Sequence, residues 1–166
     1  IRQVNVTSPS TSLIDCDGGV VPTVVIGTQE WTAENACYKT YRDGTPIPQV
    51  TDDIQWQALV TGAWCYLDND PSKGVLYNWY AVQGIWNRAS LEDPALRKTF
   101  APDGWRVPSN TDFTNLEDYL VANGYNYNGS TTENLIAKAL ASTTGWDFSV
   151  LEGTVGSDPN TFGNVN

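Results

Sequence analysis

Only one stretch of the chain, residues 110–122, repeats apolar residues at helical spacing for more than two turns; fourteen Gly and nine Pro cut the rest into short pieces. A chain so punctuated folds into short strands and loops around one substantial helix. Ser109 caps that helix, Asp112 suits its first turn, Phe113, Leu116 and Leu120 make one stripe, and Gly124 stops it.

The shorter signals surround it. Residues 1–8 alternate Ile1, Gln3, Asn5 against Arg2, Val4, Val6 until Pro9, which reads as a strand outside the main body, and SPSTS at 8–12 has linker composition. Asp17, Gly18 and Gly19 predict a turn before the β-branched run Val20 to Ile26, and DGTP at 43–46 predicts another. A short helix is expected over 51–59, with Asp52 as cap and Ile54, Ala58 and Leu59 on one face. Ala63 to Leu67 reads as a strand, and residues 132–141 as a second helix with Leu135, Ile136, Ala139 and Leu140 on one face. After Trp146 no element is expected.

Charge removes several functions. Nine Lys plus Arg against nineteen Asp plus Glu leave a net charge of −10, the opposite of a nucleic-acid or anionic-membrane footprint. The absence of His removes Ser-His-Asp and Cys-His nucleophiles and the usual zinc sites. No apolar run approaches the roughly 18 residues of a membrane span. The lack of Met in a chain starting at Ile1 reads as an exported protein whose N-terminal signal has been removed. Cys16, Cys37 and Cys65 allow at most one internal disulfide; Cys37 and Cys65, each beside aromatics, are the candidate pair, with buried thiols as the alternative. No Lys or Arg cluster flanks any of the three to make a reactive thiolate.

Five motifs then follow in order: IGTQEWTAEN at 26–35, YRDGTPIPQVTDDIQW at 41–56, GAWCYLDND at 62–70, GVLYNWYAV at 74–82 and APDGWRVPSNTDFTNLEDYL at 101–120. Together they resemble the Fibrobacter succinogenes major paralogous domain (FISUMP). The resemblance implies an α+β, C-type-lectin-like mixed fold with two main helices and short, twisted antiparallel strands, in an exported bacterial protein often found at the cell surface. It implies no catalytic residue. The motifs cover roughly residues 13–146, and with the linker composition at 8–12 the chain is expected to divide into an N-terminal strand and linker, 1–12, and a domain over 13–166. Physically, Gly27 and Gly44 suit turns of positive φ, and Trp31, Trp79 and Trp105 suit core anchors.

The chain also departs from the family pattern. The pattern usually runs on into a second half, so the domain here is expected to be incomplete at its C-terminus. Ala101 stands where the family usually has a cysteine, whose expected partner lies in that second half. Residues 84–100, GIWNRASLEDPALRKTF, look like an insertion and an expected contact surface.

Candidate chemistry is sparse. Asp68 and Asp70 begin like a calcium loop, but Lys73 stands where Gly belongs and Trp79 where a bidentate Glu belongs, so turn and capping roles are expected for them and for Asp52 and Asp53. Glu30 and Glu34 read as surface acids rather than a glycosidase pair. No cofactor is expected, calcium being the one considered. Trp86, Tyr125 and Tyr127 are the aromatics least tied to a periodic core, and they are the candidate binding residues. NVT at 5–7 and NGS at 128–130 match a glycosylation pattern that is uninformative in a bacterial protein.

The expected function is a non-catalytic extracellular surface module for adhesion or ligand recognition, whose partner is a protein or glycan at a cell surface. The alternative is a structural subunit of a filament, appendage or phage fibre, in which copies of the chain join through the N-terminal strand. An enzyme is the third choice, because no catalytic motif is visible.

Overall fold

The computed structural model describes residues 4–5, 13–14, 16, 18–142 and 146–155. The linker read at 8–12 and the tail beyond Val155 lie outside these residues. The described part is a mixed α+β arrangement with two small antiparallel sheets.

The first sheet contains β1 (Val4–Asn5), β2 (Thr23–Ile26) and β3 (Gln29–Thr32) in the order β1-β3-β2. The β-branched residues of β2 favour the extended backbone, and Gly27 at φ 63° turns the chain so that Thr23 meets Thr32 and Ile26 meets Gln29. β1 pairs with the other edge of β3. The N-terminal strand, expected to stand apart, is therefore an edge of the first sheet. The turn expected around Gly18 is closed by one antiparallel bridge between Ile14 and Val20.

The second sheet pairs β4 (Trp64–Tyr66) with β5 (Val75–Tyr77) across two 3₁₀ turns, Leu67–Asn69 and Pro71–Lys73. Among the described residues four α-helices accompany the sheets: α1 (Asp53–Gln57), α2 (Trp79–Val82), α3 (Arg88–Glu92) and α4 (Asn110–Ala122). α4 has the expected bounds and cap. Asp52 caps α1 by accepting the Gln55 N–H at 2.8 Å, but α1 buries nothing and Ile54 is 80% exposed, so its apolar face covers no core.

Three packed clusters hold the described residues together. Ile26 and Trp31 of the first sheet meet Leu116 and Leu120 of α4 and Ile136. Tyr41, Ile47, Trp64, Ala81 and Phe100 form a second cluster under the other sheet, and Leu13, Val21, Ala101 and Trp105 form a third. Full burial of a large apolar side chain contributes about 1.5–3 kcal/mol. Trp31 and Trp105 are core anchors as expected, whereas Trp79 is 60% exposed at the start of α2. The tryptophan that fills the second cluster is Trp64, whose indole N–H donates to the Ile47 carbonyl at 2.8 Å.

Polar side chains lock the loops between clusters. Asn78 Oδ1 accepts from the Ala63 and Ala81 N–H groups at 3.1 and 2.9 Å, while its amide donates to the Thr61 carbonyl at 2.8 Å. The Arg42 guanidinium donates to the carbonyls of Ala101, Pro102 and Trp105, so it stitches the loop ahead of α4 to the 39–46 turn. Each bond satisfies a backbone group left over by irregular structure.

Two expectations are overturned here. The disulfide joins Cys16 to Cys37, not Cys37 to Cys65, and Cys65 is a free thiol on β4. Cys37 precedes the 39–46 turn, beside the segment that carries Cys16, whereas Cys65 is built into the second sheet. The second helix expected over 132–141 is a single 3₁₀ turn, Ile136–Lys138. Asn126 holds the chain just ahead of it: the Glu133 carbonyl accepts from the Asn126 amide, the Leu135 N–H donates to Asn126 Oδ1, and Leu135 at φ −126° and ψ 31° stands outside the helical region, so the turn begins only at Ile136.

Candidate functional site

α4 forms one wall of a hollow, and an ion pair to a buried carboxylate fixes where that helix begins. Asp112, 3% exposed, receives both arms of the Arg106 guanidinium, the Ser109 N–H at 2.7 Å and the Ser109 hydroxyl at 2.6 Å. Ser109 returns the bond by accepting the Asp112 N–H at 3.3 Å, which completes a capping box. The Gln29 amide reaches from β3 to the Asp112 carbonyl and carboxylate at 3.2 and 3.3 Å. The guanidinium hydrogen bonds hold the Asp112 carboxyl well below the usual carboxylate range against the opposing effect of burial, with Ser109 assisting. The RVPSNTD string is thus a clamp between sheet and helix.

The opposite wall is the loop after α4. Asn126 is fully buried, donating to the carbonyls of Ser130 and Glu133 at 2.6 and 2.7 Å and accepting the Leu135 N–H at 2.6 Å. One side chain therefore sets the course of ten residues. Asn134 then donates to Glu117 of α4 at 3.1 Å, bridging the two walls. The segment Leu151–Thr154 closes the third side through a turn in which Thr154 N–H and hydroxyl donate to the Leu151 carbonyl at 3.2 and 2.8 Å. Gly153, at φ 81°, lies against the Tyr127 ring so closely that a Cβ would overlap it.

The result is a cleft of about 670 Å³, within the size range of small-ligand sites. Phe113 and Tyr127 supply aromatic surface, Leu116, Leu135 and Leu140 aliphatic surface, and Glu117, Glu152 and Asn134 polar groups. No Lys or Arg lines it among the described residues. Phe113, 45% exposed, also touches Trp31 at 5.4 Å between ring centroids, which couples the cleft wall to the main core.

Of the three aromatics proposed for binding, only Tyr127 lines this cleft. Tyr125 packs against the first core cluster. Trp86 sits within the 84–98 segment, whose ends are joined by the Lys98 N–H to Gly84 carbonyl bond at 2.9 Å. Its indole N–H donates to Leu96 at 3.1 Å, and the Lys98 ammonium lies 4.6 Å from its ring centroid, so the ring is engaged inside its own loop. Phe113, Glu117, Glu152 and Gly153 were missed in this role, since nothing at the sequence level brings residue 113 to residue 153.

A second, more polar hollow of about 520 Å³ contains Asp53, Trp56, Cys65, Asp68 and Asn69. Burial, aided by the Asp53 charge, pushes the Cys65 thiol up, which disfavours the nucleophilic thiolate. Asp68 and Asp70, the calcium candidates, are occupied within their loop: Asp68 pairs with Lys73 at 2.7 Å, and Asp70 accepts from Ser72 N–H and hydroxyl at 3.0 and 2.7 Å. The described residues bring no three His, Cys, Asp or Glu side chains together as a metal cluster. Glu30 accepts from the Thr23 hydroxyl at 2.7 Å, across the β2–β3 pair.

No helix among the described residues is long and apolar enough to cross a membrane. No curated protein and no solved structure matches the chain. The model of one family, the Fibrobacter succinogenes major domain, matches residues 24–162, a span that includes the Arg42, Asn78, Arg106–Asp112 and Asn126 tethers as well as both walls of the cleft. The chain belongs to the Fibrobacter succinogenes major domain family.

Proposed function

We propose that this protein is a non-catalytic recognition module, C-type-lectin-like in architecture and extracellular, which binds a neutral, partly apolar ligand such as a short glycan or a peptide side of a surface protein. The observation that carries this reading is the cleft between α4 and the 126–140 loop, which two aromatic rings, two carboxylates and an amide line together and which no cation lines among the described residues. Sugar rings present an apolar face together with hydroxyl donors, a combination that aromatic and carboxylate walls accommodate. The Cys16–Cys37 disulfide supports an oxidising location. The raised pKa of Cys65 and the engaged loop carboxylates support a binding rather than a chemical role.

A glycan array and a cell-surface pull-down with the intact chain test it. Tyr127→Ala is expected to lower affinity roughly tenfold, equivalent to about 1.4 kcal/mol, whereas Trp86→Ala is expected to leave binding unchanged. Blank results in both assays, or equal loss from the two variants, would end this reading.

A further inference from the structure

We propose that the edge of β3 covered by β1 is also a docking edge for the β1 strand of a second copy, so that the protein joins to itself by exchanging its N-terminal strand. This interaction is separate from the cleft, which none of the residues involved lines. β1 holds the edge through two residue pairs, Val4 with Trp31 and Asn5 with Glu30. β3 is the central strand, and its Trp31 belongs to the main core. Were β1 withdrawn, an open row of backbone donors and acceptors would lie beside that tryptophan, a template for another strand.

The attachment of β1 to the body suits exchange. Leu13 is buried in the third cluster, Ile14 bridges Val20, and Cys16 is bonded to Cys37, so the body begins at Leu13. Residues 6–12, VTSPSTS, separate the two in the sequence. Seven residues can span at most about 25 Å, which sets how far the matching edge of an adjoining copy can lie. The same backbone bonds form whether the strand is inserted in its own chain or in the neighbour's, so only the path of the connection distinguishes the two forms. Concentration then sets their balance: the internal strand wins below the effective concentration of a short tether, on the order of millimolar, and exchange grows above it.

Cysteines at one facing pair read the exchange directly. Cα partners on antiparallel strands lie within disulfide distance. In the full chain carrying Cys65→Ser, Asn5→Cys and Glu30→Cys are made separately and mixed under mild oxidation; a peptide linking positions 5 and 30 then joins two chains by necessity. The proposal expects this link to rise with protein concentration and to exceed by about tenfold the background obtained when Glu92→Cys replaces Glu30→Cys. The double variant carrying both cysteines is expected to close within one chain in dilute solution. A mixture that gives no more than background up to about 1 mM, while the double variant closes internally, overturns the exchange. Failure of the double variant to close overturns it as well, because β1 would then not lie on β3.

Discussion

Replacing Asp112 by Asn tests whether the clamp at the start of α4 is an ionic one. The change keeps the side-chain shape but removes the charge that receives two guanidinium and two Ser109 bonds. At least one donor of Arg106 or Ser109 would then face the new amide N–H₂. Breaking a fully buried ion pair costs about 3–5 kcal/mol. Arg106 keeps 43% of its side chain exposed and can rehydrate, so the expected loss is lower, about 2–4 kcal/mol. For a chain of this size that corresponds to roughly 5–15 °C in Tm. The pH dependence supplies the sign. The folded carboxyl titrates below its unfolded value, about 3.9, so its contribution is complete above that pH and drains away as the pH falls further. Each unit removes about 1.36 kcal/mol, so equilibrium unfolding in denaturant should show the gap between wild type and Asp112→Asn narrowing by about 2 kcal/mol between pH 7 and about pH 2.5. A gap below about 1 kcal/mol at neutral pH, or one that stays constant into acid, refutes the ionic clamp.

Two further outcomes follow from the geometry. The Cys16–Cys37 bond closes a sequence separation of 21, so Cys16→Ser should lower stability by about 3 kcal/mol while Cys65→Ser changes it by less than about 1, both read from thermal melts; peptide mapping without reductant that finds Cys37 linked to Cys65 would contradict the fold. Gly84→Ala places a Cβ on the Lys98 carbonyl oxygen at φ 73° and should cost about 3 kcal/mol or more, whereas Gly44→Ala, also at positive φ but with nothing within 4 Å, should cost only about 1 in the same melts.

The sequence by itself determined the features whose causes lie a few residues apart. Ser109 with Asp112 and the Leu116–Leu120 stripe specify α4, because a capping box and a helical face are settled by neighbours three and four positions away. The turns at Gly27 and Gly44, the Asp52 cap and the five family motifs belong to the same class. Tertiary structure alone decided the rest. Leu135, Ile136, Ala139 and Leu140 carry a helical pattern, yet Asn126, whose importance shows only once the chain folds back, pins the Glu133 carbonyl and the Leu135 N–H, and Leu135 stays outside the helical region. Trp64 and Trp79 both stand in aromatic strings, and only the packing of the second sheet sends one inward and leaves the other in solvent. The partner of Cys37 and the meeting of Phe113, Tyr127 and Gly153 around one cleft depend on contacts between residues 14 to 40 positions apart or more, which side-chain periodicity cannot encode because it reports only which way a residue faces, not what it meets.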